Sequence, residues 1–150
     1  MEKVMSSIID LCSNFEIDEK GTEKRVISLF KSYRKAKEKE KIITERYKAS
    51  LSSDNLGIFG SGKSDPVGNK IEQLERYNEF TSSIDAIYEL FSHNLTKDEK
   101  VIYKKTLESS HTHESVQAEL SISSTSTYYA KKRSCYLKVA TWFDLEVYKN

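Results

Sequence analysis

The chain has few of the residues that interrupt helices or crosslink small folds. Its 150 residues include one proline, five glycines and two cysteines, Cys12 and Cys135. The cysteines form no Cys-x-x-Cys pair, so neither a disulfide framework nor a zinc site is indicated. No apolar run approaches the ~18 residues of a membrane span, and the first residues lack a basic start and a small-residue cleavage site. We therefore expect a cytoplasmic protein.

The chain also lacks a large net charge. The net charge is +1, but the charged residues are unevenly distributed. Residues 19–50 carry eleven Lys and Arg against five acids. Within this stretch Val26, Phe30 and Tyr33 mark one apolar face of a helix that contains no Gly or Pro after Thr22. The pattern predicts an amphipathic helix with a basic outer surface, which either contacts a polyanion or is simply solvated.

Glycine, serine and proline are concentrated near the middle of the chain. Four of the five glycines, five serines and Pro66 fall between residues 50 and 68. This composition predicts a flexible linker over 50–65 between an N-terminal helical region (1–49) and a C-terminal region (66–150). Asp65 as N-cap and Pro66 at the first helical position then predict the start of the next helix.

The linker contains GIFGSGKS (57–64), which matches the pattern of a phosphate-binding loop. Such a loop joins a buried strand to a helix, but the preceding YKASLSSDNL has neither an apolar run nor alternation. We interpret the match as a coincidence of linker composition, and a nucleotide-binding protein is the least favoured alternative. No other catalytic constellation is present, and His111-x-His113 is interpreted as a loop. We expect no enzyme activity, no metal and no other cofactor.

A long apolar stripe follows the linker. Its members recur at spacings of three and four: Val67, Ile71, Leu74, Tyr77, Thr81, Ile84, Tyr88 and Phe91. Such a stripe is a core or helix-pairing face. We also expect that the helix at 67–91 could mediate self-association.

The last third of the chain has three helix starts. Thr96 and Glu99 form a capping box, a short helix can begin near Thr112, and a longer helix opens at a fresh Ser/Thr cap. A short helix, a tight turn and a longer helix with hydroxyl and basic residues in its first half are typical of a helix-turn-helix. The expected fold is therefore all-α: a basic N-terminal helix, a linker, and a long helix leading into a helix-turn-helix.

In a helix-turn-helix the first turns of the last helix lie in the major groove. Hydroxyls there contact base edges, and cations contact phosphates or guanine. We expect Tyr128 to be a core residue. The predicted DNA contacts are Ser124, Thr125, Ser126, Thr127, Tyr129, Lys131, Lys132 and Arg133. The alternative is a three-helix bundle with a solvated basic patch.

The run VQAELSISSTSTYYAKKRSC resembles region four of bacterial sigma-70 factors and, more closely, the ArpU family of phage transcriptional regulators, relatives of the RinA-type activators. The family's Ser-x-x-Thr-Tyr-Tyr start, basic cluster and small core residue are matched by Ser124, Thr127, Tyr128, Tyr129, Lys132, Arg133 and Cys135. IDEKGTEKRVISLFKSYRKAKE, SDPVGNKI and VYKN extend the resemblance over most of 17–150. The turn is one residue longer than usual, Ser121 stands where glycine often gives positive φ, and Gln117 replaces the usual alanine.

The resemblance implies a sequence-specific regulator, expected to be an activator, of phage late genes for packaging, structure and lysis in a bacterial host cell. Its partner would be double-stranded DNA at a late promoter region, with host RNA polymerase as a second candidate partner. Affinity should fall steeply with salt. The alternative from another functional class is a small-terminase-like DNA-packaging protein that uses the same motif.

Overall fold

A computed structural model describes residues 16–52 and 66–149, which form an all-α fold. Two long helices come first, α1 (Glu19–Ser52) and α2 (Pro66–Phe91). A 3₁₀ turn (Ser92–Asn94) leads to α3 (Lys97–Ile102), which continues as a π-helical stretch (Tyr103–Glu108) before α4 (His113–Glu119) and α5 (Thr125–Trp142). None of the helices in these two ranges combines the length and apolarity needed to cross a membrane.

The helix boundaries test part of the predicted organisation. Helix α1 includes residues 50–52, which the composition assigned to the linker. Helix α2 begins at Pro66, as predicted. Residues 53–65, with the match to a phosphate-binding loop and the cap candidate Asp65, lie outside the described residues, and so does Cys12.

The described residues divide into two compact units. The unit Lys31–Leu90 contains two antiparallel helical segments. Tyr33 donates a hydrogen bond to Asp85 at 2.7 Å, and Thr81 donates to Glu40, so positions descend along α2 as they rise along α1. Helix pairing inside the chain therefore accounts for most of the second half of the predicted apolar stripe. Its buried members are Thr81, Ile84 and Tyr88.

Among the described residues, the other unit combines 16–30 with 91–149 and has an aromatic core. Phe30 meets Tyr103 and Phe143 edge to face, with ring centroids 5.3 and 6.0 Å apart. Such aromatic pairs add stabilisation beyond the apolar area that they bury. Around them lie further fully or almost fully buried side chains: Val26, Ile102, Leu107, Val116, Tyr128, Cys135, Tyr136, Val139 and Ala140.

The chain end of this unit lies against the start of α1. An isolated antiparallel bridge pairs Ile17 with Tyr148, and the Asp18 amide donates to the Val147 carbonyl at 2.7 Å. The Asp18 carboxylate in turn accepts from the Gly21 amide at 3.1 Å and so caps α1. A Cβ at Gly21 would lie 2.8 Å from that carboxylate, so only glycine fits here without displacing the cap.

Candidate nucleic-acid interface

The connection between α4 and α5 is a tight turn with defined geometry. The Ser121 amide donates to the Ala118 carbonyl at 3.0 Å, and the Ile122 amide donates to the Gln117 carbonyl at 3.2 Å. This pair of bonds is the Schellman pattern, which requires a left-handed residue after the helix. Ser121 supplies it with φ 56°, so the position where glycine is usual does reach positive φ.

Gln117 explains how the longer turn is held. Its side-chain amide donates to the Ile122 carbonyl at 3.0 Å and lies 3.4 Å from the Thr125 hydroxyl. An alanine at this position could reach neither group. The replacement noted in the sequence therefore fastens the turn to the first residue of α5.

The first turn of α5 presents a row of hydroxyls. Ser124 is the N-cap and accepts from the Thr127 amide at 3.3 Å, while its oxygen lies 3.0 Å from that of Ser126. All four residues of this turn are exposed. We call Ser124, Thr125, Ser126 and Thr127 the hydroxyl turn. The structure places these four predicted residues together in one exposed helical turn.

The basic cluster that follows is not a single surface. Consecutive residues of an α-helix lie about 100° apart, so three adjacent cations cannot share one face. Lys131 pairs with Asp98, and Lys132 lies 3.2 Å from Glu23 of α1. Arg133 is exposed, and within the described part of the chain it has no ion-pair partner.

Lys132 faces inward. Only 14% of its side chain and 17% of that of Glu23 are exposed, and its ammonium lies over the rings of Tyr129 and Tyr136, at 5.2 and 5.4 Å from their centroids. Both the opposite charge and the ring faces stabilise a cation in this position. In this structure Lys132 therefore does not present its ammonium to an external partner, contrary to the place that we gave it among the DNA contacts.

The two adjacent tyrosines have different environments. Tyr128 is fully buried, as predicted, and its hydroxyl lies 2.7 Å from Nδ1 of His113. Tyr129 is half-buried and meets Tyr128 edge to face at 5.3 Å, with Lys132 over its ring. His113 was expected in a loop, but it is the first residue of α4 and is half-buried.

The pKa shifts of His113 and Tyr128 indicate which of the two groups donates the hydrogen bond between them. Burial lowers the pKa of His113, and the charge of Lys132 lowers it further against the opposing effect of Glu23. Burial, with smaller effects from Tyr129 and Cys135, raises the pKa of Tyr128 to about 12. A neutral imidazole therefore accepts at Nδ1 from the protonated Tyr128 hydroxyl.

The second half of α5 is fastened to α3. The predicted capping box is present, with the Glu99 amide donating to Thr96 and the Thr96 amide donating to the Glu99 carboxylate. The same carboxylate accepts from Lys138 at 2.8 Å. Burial raises the pKa of Glu99, but the hydrogen bonds from Lys138 and Thr96 outweigh it, so the net pKa is lowered and the group stays charged.

Helix α4 carries acidic rather than basic residues on its surface. Glu114 and Glu119 are exposed, and Glu119 lies 3.8 Å from the ammonium of Lys105. Among the described residues no group of three or more His, Cys, Asp and Glu side chains is placed to hold a metal ion.

Comparisons with protein-family models, with curated proteins and with solved structures found no match.

Proposed function

We propose that this chain is a sequence-specific DNA-binding transcriptional regulator, expected to activate phage late genes, and that α5 enters the major groove. One observation carries the proposal: an exposed hydroxyl turn begins a helix whose opposite side is buried. Hydroxyls at the N-terminus of such a helix can donate to, and accept from, base edges. The Thr127 amide is engaged by the Ser124 cap, so the groups of this helix that remain for phosphates are the Thr125 and Ser126 amides and the exposed Arg133.

The ion pairs of α5 change the expected salt dependence. Each phosphate contact contributes about −0.9 to the slope of log K against log salt. Since Lys131 and Lys132 are engaged with Asp98 and Glu23, α5 offers about two fewer such contacts than its sequence contains. We therefore expect a shallower slope from this helix than the steep fall predicted from sequence, with any remainder contributed by the basic surface of α1.

The test begins with selection of bound sequences from a random duplex library, because the operator is unknown. Affinities of the full chain for the enriched and a scrambled duplex are then measured by fluorescence anisotropy. We expect the double variant T125A/S126A to lose discrimination between the two duplexes, and R133A to weaken both about equally. The matched control is S82A/S83A, which removes two hydroxyls from α2 and should change neither affinity.

Two results would contradict the proposal. One is that no sequence is enriched; the other is that T125A/S126A, checked for helicity by circular dichroism, discriminates as well as the unaltered chain. The biological role is tested separately, with a reporter driven by a late promoter and a map of bound DNA in lysogenic cells. Binding at a packaging site, with ring-shaped oligomers and no reporter activation, would instead favour the small-terminase-like alternative.

A further inference from the structure

Helix α1 has an inner and an outer side within the unit Lys31–Leu90. On the inner side Tyr33 and Ala36 are buried, and Glu40 accepts a hydrogen bond from Thr81 of α2. Since each residue of an α-helix is rotated by about 100° from the one before it, the side opposite these residues points away from the contact with α2. The outer side of α1 is therefore not used in pairing with α2.

Four cations follow one another along the outer side. Their spacings are four, four and seven residues: Lys31, Lys35, Lys39 and Arg46. All four are exposed, and none has an ion-pair partner in the part of the chain that the structure describes. We call these four residues the basic stripe. The exposed acids of the same stretch, Glu38 and Glu45, lie at its edge nearest to Lys31, so the stripe itself contains positive charges only.

The composition of the outer side favours a polyanion over a protein or a membrane. Between the cations the stripe has one large apolar residue, Ile42, and it is half-buried. Protein interfaces have an apolar core in which lysine is depleted. A helix that lies on a membrane needs an exposed apolar face, whereas the apolar side of α1 is buried. A nucleic-acid backbone requires only cations in a row.

We propose that the basic stripe contacts phosphates of double-stranded DNA without reading its sequence. Members of the stripe that are four residues apart lie about 6 Å apart along the helix axis. Each strand of DNA presents a phosphate about every 3.4 Å along the duplex axis, so cations at this spacing can meet phosphates of one strand. The inference rests on the proposed function for the identity of the partner, but it does not require that α5 recognises bases.

A salt titration tests the basic stripe. The affinity of the full chain for the scrambled duplex is measured by fluorescence anisotropy at several salt concentrations. Four phosphate contacts at about −0.9 each would contribute roughly −3.6 to the slope of log K against log salt. The variant K35Q/K39Q should therefore make the slope shallower by about 1.8. It should also weaken binding of the enriched and the scrambled duplex by the same factor.

The matched control removes two cations from another side of the same helix. Lys41 and Lys48 are exposed and lie on the flank of Lys37, which is engaged with α2. The variant K41Q/K48Q has the same net charge as K35Q/K39Q, but it should keep the slope of the unaltered chain. The variant K35R/K39R retains both charges of the stripe and should keep the slope as well.

Two results of the titration would overturn the inference. One is that K35Q/K39Q keeps the slope of the unaltered chain. The other is that K41Q/K48Q changes the slope by the same amount, since the effect would then depend on net charge alone. Loss of reporter activation in K35Q/K39Q at an unchanged slope would assign the stripe to an acidic protein and would also overturn it.

The two proposals have separate measurements. The slope measured with the scrambled duplex tests the basic stripe, whereas discrimination between the enriched and the scrambled duplex tests α5. A chain that discriminates but whose slope is insensitive to K35Q/K39Q contradicts the inference alone. A chain whose slope responds to K35Q/K39Q but which enriches no sequence contradicts the proposed function alone.

Discussion

Replacing Lys132 by Ala distinguishes a lysine that braces α5 from one that contacts DNA. The substitution removes the cation that faces Glu23 and lies over two tyrosine rings. It leaves the Glu23 carboxylate mostly buried, and one oxygen of that carboxylate already has no hydrogen-bond partner among the described residues. The loss should therefore be mainly one of stability.

The size of the effect follows from the burial of the pair. Removing one partner of a buried ion pair costs about 3–5 kcal/mol, and cation–π contacts add about 0.5–1 kcal/mol where they are partly exposed. Since both side chains keep some solvent contact, we expect the lower end, about 3 kcal/mol, or a fall in Tm of roughly 10 °C. Arg133→Ala is the matched control, because an exposed substitution on the same helix should stay within about 0.5 kcal/mol.

The assay is thermal and urea unfolding followed by circular dichroism, with a double-mutant cycle that combines Lys132→Ala and Glu23→Gln. A coupling of about 1–3 kcal/mol between the two positions is expected for side chains in direct contact. Lys132→Ala with an unchanged Tm and a weakened affinity for DNA would refute the reasoning, since it would place the ammonium at the surface.

Three further outcomes are expected. Ser121→Gly should raise the free energy of unfolding by about 0.5–1 kcal/mol in urea titrations, because glycine tolerates positive φ, and Ser121→Ala should gain nothing. Gly21→Ala should raise Tm less than the ~1 kcal/mol gain that alanine usually brings within a helix would predict, because the Asp18 cap must shift to admit the Cβ. Because the pKa of His113 is lowered in the folded state, its contribution is complete above its unfolded pKa of about 6.5 and is lost as the pH falls below it. His113→Asn, which retains an acceptor for Tyr128, should remove this part of the pH dependence of unfolding.

The helix starts could be predicted from sequence because local chemistry sets them. The capping box of Thr96, the cap at Thr112, the Ser/Thr cap at Ser124 and the proline at Pro66 each satisfy or avoid amides within one turn of chain. The positive φ at Ser121 is also set locally, since the two hydrogen bonds that close α4 require it, although the residue itself is not the usual glycine. These features need no knowledge of the rest of the fold.

The environment of the basic cluster could not be predicted in this way. Glu23 and Lys132 are 109 residues apart, and nothing near either one indicates that they meet. The helical position of His113 was weakly indicated, because a histidine just after the Thr112 cap lies in a helix rather than a loop. For Gln117 the only signal was that it replaces the usual alanine. Its hydrogen bond to the Ile122 carbonyl depends on where the turn places Ile122.

Helical geometry nevertheless limits how the surface of α5 can be used. Ser126, Ala130 and Arg133 follow at spacings of four and three and are exposed, whereas Tyr128, Cys135 and Val139 are buried on the other side. Turning Lys132 outward by rotation of the helix would move those buried residues into solvent and would break the bonds made by Gln117, His113 and Lys138. The contacts that hold α5 therefore keep the hydroxyl turn and Arg133 exposed and keep Lys132 against Glu23.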